Sequence, residues 1–212
     1  MDVALGERFT LAVTDAGAVF SFGCSQEGAD LGHGLSTSEV LPRRFEALAQ
    51  TRRRFVAVAA GHCHALALTE EGELYGWGAR NANGHGRATP TPQRVASLIG
   101  QRVKLVCARN LCSCAVTEKG ELFTWGDSSA EGSLGHEGVY ITPKRAAGLS
   151  GVEIAAVAIG WTHTLAADAD GVVWAFGRRL TLGLDASGPE GDAVVSTPTP
   201  IPTLRVRVLN CP

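Results

Sequence analysis

The sequence predicts an all-β protein: a partial β-propeller of about four four-stranded antiparallel blades, an open arc or a fragment of a seven-bladed ring. Three observations carry that expectation. One hairpin pattern recurs four times along the 212 residues. Each copy closes on an aromatic residue followed by glycine, at Phe22-Gly23, Trp77-Gly78, Trp125-Gly126 and Phe176-Gly177. Each is followed by a glycine-rich connection and then a short proline-bearing segment. Three alternating strands and a proline-marked fourth, repeated about every 50 residues, describe a propeller blade.

The second copy, Gly61–Gly78, shows the pattern most plainly. His64, Leu66 and Leu68 alternate with Ala65 and Ala67, as in a half-buried strand. Gly72 provides the backbone freedom that a tight turn into the next strand needs. A lone hairpin is marginal in water, so the copies must pack on one another.

Taken in order, the first strand of each unit centres on Val3, Val58, Val106 and Val157, followed three residues later by Gly6, Gly61, Arg109 and Gly160. The second strand presents Phe9, His64, Cys112 and His163 at one equivalent position, and the hairpin glycines are Gly17, Gly72, Gly120 and Gly171. The closing glycines lie 55, 48 and 51 residues apart, which places the insertions between strand pairs. The connections carry His33, His85 and His136 among glycines, and Leu182-Gly183-Leu184 in the fourth unit. Pro42, Pro92, Pro143 and Pro200 mark the fourth strand, and proline cannot donate to a ladder, so this strand is expected at a sheet edge. Residues 43–54 are rich in helix formers and predict a turn of helix or a loop. The chain therefore reads as one repeat domain, with blades at about 1–54, 55–102, 103–153 and 154–204. Residues 205–212 are expected to begin a further first strand, with Val208 matching Val157.

Composition narrows the function classes. A net charge of −2 gives no global attraction to nucleic acid or to acidic membranes. No apolar run approaches the roughly 20 residues of a membrane span. The N-terminal stretch has no basic region followed by an apolar one, so a signal peptide is not expected. Six cysteines are too sparse for a disulfide scaffold, which points to a reducing, intracellular compartment, cytoplasmic or nuclear.

Several residues invite chemistry. His62 and His64 would share one face of a strand and Cys63 the other, so the three do not converge on one metal. Cys107, Cys112 and Cys114 have no familiar zinc spacing and take apolar or framework positions, as buried cysteines do. His33, His85 and His136 read as turn residues separated by blade symmetry, and Glu70-Glu71 as solvated hairpin carboxylates. No G-x-x-x-x-G-K-[ST], G-x-S-x-G or H-E-x-x-H occurs. No cofactor, metal or catalytic residue is expected. Two candidate interaction surfaces remain: the basic cluster Arg43, Arg44, Arg52, Arg53 and Arg54, and the long acidic loop with Asp185, Glu190 and Asp192.

The residues quoted for Gly61–Gly78, the LGHG after Asp30 and GWTHTLAADADGVVWAFG at Gly160–Gly177 resemble regulator-of-chromosome-condensation repeats across essentially the whole chain. Kelch repeats would carry a double glycine and WD repeats a Trp-Asp, and the sequence has neither. The resemblance implies a propeller whose framework is Gly61, His64, Gly72, Trp77, Gly78, Gly120, Trp125, Gly126, Gly160, His163, Gly171 and Gly177. It also implies a non-enzymatic protein-interaction scaffold. Guanine-nucleotide exchange on a small Ran-like GTPase, or substrate recruitment for a ubiquitin ligase, are alternatives that the family permits. Gly160-Trp161-Thr162-His163-Thr164 resembles the Gly-Trp-x-His-Thr motif of light-sensing members. Glu7, His62 and Asn110 stand at the other positions equivalent to Trp161, so the tryptophan cluster such sensing uses is missing. An open arc would leave apolar blade faces exposed and favour self-association or docking on another chain.

Overall fold

The computed structural model describes residues 1–25, 31–34, 38–79, 81–127, 132–184 and 193–207. Among the described residues, sixteen strands form four sheets of four, each built from consecutive antiparallel neighbours. Blade 1 contains β1 (Asp2–Leu5), β2 (Phe9–Val13), β3 (Val19–Gly23) and β4 (Glu39–Arg44). Blade 2 contains β5 (Phe55–Ala60), β6 (His64–Thr69), β7 (Leu74–Gly78) and β8 (Thr89–Arg94). Blade 3 contains β9 (Val103–Arg109), β10 (Cys112–Thr117), β11 (Leu122–Gly126) and β12 (Tyr140–Arg145). Blade 4 contains β13 (Ile154–Ile159), β14 (His163–Asp168), β15 (Val172–Arg178) and β16 (Val194–Arg205). A single turn of helix, α1 (Glu46–Ala49), follows β4 in the segment expected to hold helix or loop.

The blades stand side by side in an open arc. The first strands β1, β5, β9 and β13 contact one another in succession, and the proline-bearing β4, β8, β12 and β16 form the opposite edges. Proline at those edges removes a donor from a ladder that has no further partner. Three apolar clusters lie between successive blades, and a fourth, of Val173, Ala175, Leu182 and Ile201, lies within blade 4. Phe9, Leu11 and Val13 of blade 1 pack on Phe55, Val58 and Trp77 of blade 2. Leu66 and Leu68 meet Ala115 and Trp125 in the same way, and Cys114 and Val116 meet Ala166 and Phe176.

Repeated contacts set the spacing of the blades. Each hairpin glycine passes a carbonyl to the next blade: Phe55 N–H donates to Gly17 O, Val103 to Gly72 O, and Ile154 to Gly120 O, at 3.3, 3.0 and 2.9 Å. These glycines have φ between +74° and +82°, where a side chain is strained. Val206 donates to Gly171 O in the same manner, at 2.9 Å. Arg205 pairs with Val172 and closes β16, so Val206 takes the place of Ile154. Val208 lies outside the described residues.

The closing aromatics act as wedges. Trp77, Trp125 and Phe176 are fully buried. Each lies against the glycine-rich connection of the blade before it, at Gly32, Gly84 and Gly135 respectively. Trp125 Nε1–H also donates to Ala82 O at 2.7 Å.

Candidate interaction surface

The loops joining the first and second strands gather at one end of the arc. Glu7, His62, Asn110 and Trp161, which occupy one repeat position, line a single cavity of about 280 Å³ together with Leu5 and Arg109. The glycines at the strand ends bring these loops close together. Gly6 and Gly61 N–H each donate back to the residue three positions on, and His62 N–H donates to Asn110 O at 2.8 Å, tying neighbouring loops. The His62 imidazole pairs with the Glu7 carboxylate. Trp161 is 61% exposed and Leu5 is 74% exposed. The mouth thus presents two large apolar side chains beside an acid, an imidazole and a guanidinium.

His62 and His64 have separate roles, which corrects the expectation that they share a strand face. β6 begins at His64, and His62 lies in the bend before it. His64 is fully buried, and its Nε2 is 2.7 Å from Ser113 Oγ of the next blade. Ser113 Oγ–H donates to Ala82 O at 2.9 Å, so the imidazole donates to Ser113 Oγ from Nε2. Burial first, and then the nearby His62, push its pKa down to about 3.

The connection histidines are also braces. His33 Nε2 meets Ser21 Oγ at 2.9 Å, His85 Nε2 meets Gly76 O at 3.1 Å, and His136 Nε2 meets Thr124 Oγ1 at 3.0 Å. Ser21 and Thr124 in turn donate to the Leu31 and Leu134 carbonyls. Each histidine therefore pins a connection to the third strand of its own blade. Burial is the main cause lowering the pKa of all three. Cys112 and Cys114 are buried, and Cys107 is half-buried opposite Cys114 on the neighbouring strand.

The basic cluster is not free of counter-charge, and the hairpin carboxylates are not merely solvated. Arg54 contacts Glu70 at 3.1 Å, Arg53 contacts Glu71 at 3.8 Å, and Glu73 receives both Arg53 at 3.2 Å and Arg94 at 3.0 Å. Arg43 pairs with Glu39 within β4. Arg44 and Arg52 line a second cavity, of about 320 Å³, with Phe45 and Leu48. The carboxylates reach the cluster because the β5–β6 pairing, with Phe55 opposite Thr69, continues one step further, where Glu70 N–H donates to Arg54 O. Asp185, Glu190 and Asp192 lie outside the described residues. Among the described residues, no group of three histidine, cysteine, aspartate or glutamate side chains is placed to hold a metal ion. No helix among them is long and apolar enough to cross a membrane.

Two models of the regulator of chromosome condensation (RCC1) repeat match residues 16–68, 119–167 and 55–86. The chain belongs to the RCC1 repeat family. It is 36% identical over 183 residues to the ultraviolet-B receptor UVR8 of Arabidopsis thaliana, covering 82% of this chain and 40% of that protein. It is 33% identical over 192 residues to the E3 ubiquitin-protein ligase HERC2 of Homo sapiens, covering 85% of this chain and 4% of that one. The chain thus spans less than half the length of these relatives. Among solved structures, human WBSCR16 superposes with a TM-score of 0.77 at 20% identity, over 94% of this chain and 52% of that one. Prp20p of Saccharomyces cerevisiae, described with its binding to Gsp1p and histones, superposes with a TM-score of 0.62 at 23% identity, over 95% and 65%. These structural likenesses establish an RCC1-type propeller fold for the four blades.

Proposed function

We propose that this chain is a non-enzymatic protein-interaction scaffold and that the mouth formed by Glu7, His62, Asn110 and Trp161 is its principal binding surface. The carrying observation is the convergence of four equivalent loop positions on one cavity with an exposed tryptophan at its rim. Exposed aromatics beside charged groups are where binding energy concentrates at protein interfaces. The rest of the repeat is rigid framework, so specificity falls to residues that differ between copies, and these four differ in every blade. Relatives that include a receptor, a ligase and a protein binding Gsp1p and histones support a role in protein binding.

The test uses a purified Gsp1p-type GTPase and purified core histones as two probes, with binding measured for the wild type and for Trp161→Ala. Saturable binding to either probe that weakens at least tenfold in the variant supports the reading. Binding that Trp161→Ala leaves unchanged moves the surface elsewhere. Nucleotide release followed in the GTPase samples distinguishes exchange from plain binding. Ubiquitin transfer to a bound protein, assayed with a ligase domain added in trans, addresses recruitment.

A further inference from the structure

The junction between blades 1 and 2 departs from the next two junctions at two positions, and both departures add positive charge to one cavity. Arg44, Arg94 and Arg145 end the fourth strands of blades 1, 2 and 3 and stand opposite Phe20, Tyr75 and Phe123. In blade 2 Arg94 reaches Glu73 at 3.0 Å, and in blade 3 Arg145 reaches Glu121 at 3.2 Å. Each of these glutamates directly follows the hairpin glycine, Gly72 or Gly120. Ala18 follows Gly17 instead. Blade 1 thus lacks the carboxylate, and among the described residues Arg44 has no ion-pair partner.

The second departure lies in the connection to the next blade. Phe45, Val95 and Ala146 each donate an N–H to the first residue of the third strand, at Val19 O, Leu74 O and Leu122 O. From there the chain reaches Phe55 ten residues later, but Val103 and Ile154 only eight residues later. The longer connection holds α1. Three residues before the next blade, the shorter connections carry Gly100 and Gly151, with φ of +88° and +78°, where the longer one carries Arg52 at +56°. An arginine held in the left-handed region where two other copies use glycine is a local strain, and such strain collects where a side chain is in use. Among the described residues Arg52 also has no ion-pair partner.

Arg44 and Arg52 line one cavity of about 320 Å³, with Arg53, Arg54 and Ala18, and no carboxylate lines it. Glu70, Glu71 and Glu73 pair with Arg53 and Arg54 from blade 2, which leaves the charges of Arg44 and Arg52 uncompensated. Phe45, Leu48 and Phe55 also line the cavity but are almost entirely buried, so it offers little apolar surface to a hydrophobic ligand. Its lining residues run from Ala16 to Phe55, at a junction inside the chain.

We infer that this cavity receives the phosphoryl group of a phosphorylated serine or threonine on a partner peptide. Such a group carries nearly two negative charges at neutral pH, which matches the two uncompensated arginines, and its oxygens suit paired guanidinium donors. A single carboxylate brings half that charge. The flanking glutamates confine the positive field to the cavity, which favours a compact dianion over an extended polyanion. The four arginines are exposed, so a group carried on another protein reaches them. This site lies at the end of the blades opposite the mouth and is independent of the binding proposed there.

The full chain, immobilised, is offered two degenerate peptide pools that differ only in a central phosphoserine or serine. The phosphoserine pool is expected to be retained, the serine pool to pass through, and inorganic phosphate in millimolar excess to elute what is held. Arg44→Gln and Arg52→Gly are each expected to weaken binding of the eluted peptides by about tenfold or more. Ala18→Glu restores the carboxylate that Glu73 and Glu121 provide, and is expected to do the same while every arginine stays in place. Retention of neither pool, equal retention of both, or unchanged binding in Arg44→Gln and Ala18→Glu would each overturn the proposal. So would duplex DNA that binds more tightly than the phosphopeptides and is lost in the same variants, or inorganic phosphate that saturates the site at the same concentration as the peptides. Circular dichroism checks each variant, and should Ala18→Glu fail to fold, Arg52→Gly on the connecting loop takes its place. Trp161→Ala is expected to bind the phosphopeptides as wild type does, and a loss in that variant would place them at the mouth instead.

Discussion

The imidazole of His64 lies directly over Gly61, so that a Cβ at position 61 would sit 2.1 Å from the ring. Gly160 stands in the same relation to His163, and Gly6 to the ring of Phe9. Blade 3 replaces both partners, with Arg109 where the glycine would be and Cys112 where the ring would be. A side chain at the first position is therefore compatible only with a small residue at the second. Gly61→Ala must displace the ring and break its bond to Ser113, and is expected to cost about 2–4 kcal/mol. In Gly61→Ala/His64→Cys the two changes are expected to be strongly non-additive, the double variant losing less than the sum of the single ones. Denaturant unfolding of the four proteins checks this.

The same histidine makes stability depend on pH. Its pKa is about 3 in the fold, against an ordinary 6.5. The unfolded chain therefore binds a proton below pH 6.5 that the folded chain refuses until much lower. The stabilisation is fully present above pH 6.5 and is lost as pH falls from there toward 3. Between pH 7 and pH 5 the loss from His64 is about 2 kcal/mol. His33, His85 and His136 are lowered in the same direction by burial and add to the fall. Urea melts at pH 7 and pH 5 should show the loss, and His64→Gln should show a flatter dependence from a lower starting stability.

Much of the fold was legible because its signals are local and repeat. Alternation marked the strands, Gly17, Gly72, Gly120 and Gly171 marked the turns, and Pro42, Pro92, Pro143 and Pro200 marked the edges. What escaped the sequence depends on contacts between blades. The partner of His64 is Ser113, 49 residues away, and no local pattern announces that bond. The pairing of Glu70 with Arg54 was hidden for a different reason, since it depends on the exact register of β5 on β6, which puts Phe55 opposite Thr69. The mouth was half visible. Glu7, His62, Asn110 and Trp161 align as one repeat position, but their chemical differences concealed that symmetry brings them together. Equivalence of position, rather than likeness of residue, was the usable signal.

The wedge residues should show graded sensitivity. Trp125 is fully buried and also donates to Ala82 O, a carbonyl that Ser113 bonds as well. Trp125→Phe keeps the ring and leaves that carbonyl satisfied, so it is expected to cost about 1–2 kcal/mol. Trp125→Ala opens a cavity between blades 2 and 3 and is expected to cost about 3–5 kcal/mol. Thermal unfolding that ranks the two variants otherwise would remove Trp125 from its role as a wedge.

Arg52 offers a gain in stability. It follows α1 by three residues and has φ +56°, in the left-handed region where a Cβ is penalised. Arg52→Gly is expected to stabilise the protein by about 0.5–1 kcal/mol, a small net effect because glycine also enlarges the freedom of the unfolded chain. The same substitution removes one charge from the basic cavity, so an anionic probe such as heparin should bind more weakly to a protein that has become more stable. Opposite movements of the two readouts separate the backbone effect from the charge effect.

Trp161 should behave in the contrary way, because what holds it in place is a loop rather than a core. At 61% exposure it shields little apolar surface, and Trp161→Ala is expected to change unfolding free energy by no more than about 0.5 kcal/mol. The neighbouring Glu7–His62 pair is itself half exposed, and Glu7→Gln should be similarly mild. Both variants nevertheless alter the surface that a partner protein would meet, one by removing the aromatic anchor and the other by removing the charge that orients His62. Loss of partner binding with unchanged unfolding, measured on the same preparations, would identify the mouth as a recognition surface. Unfolding that shifts by several kcal/mol in Trp161→Ala would instead make the tryptophan part of the blade framework.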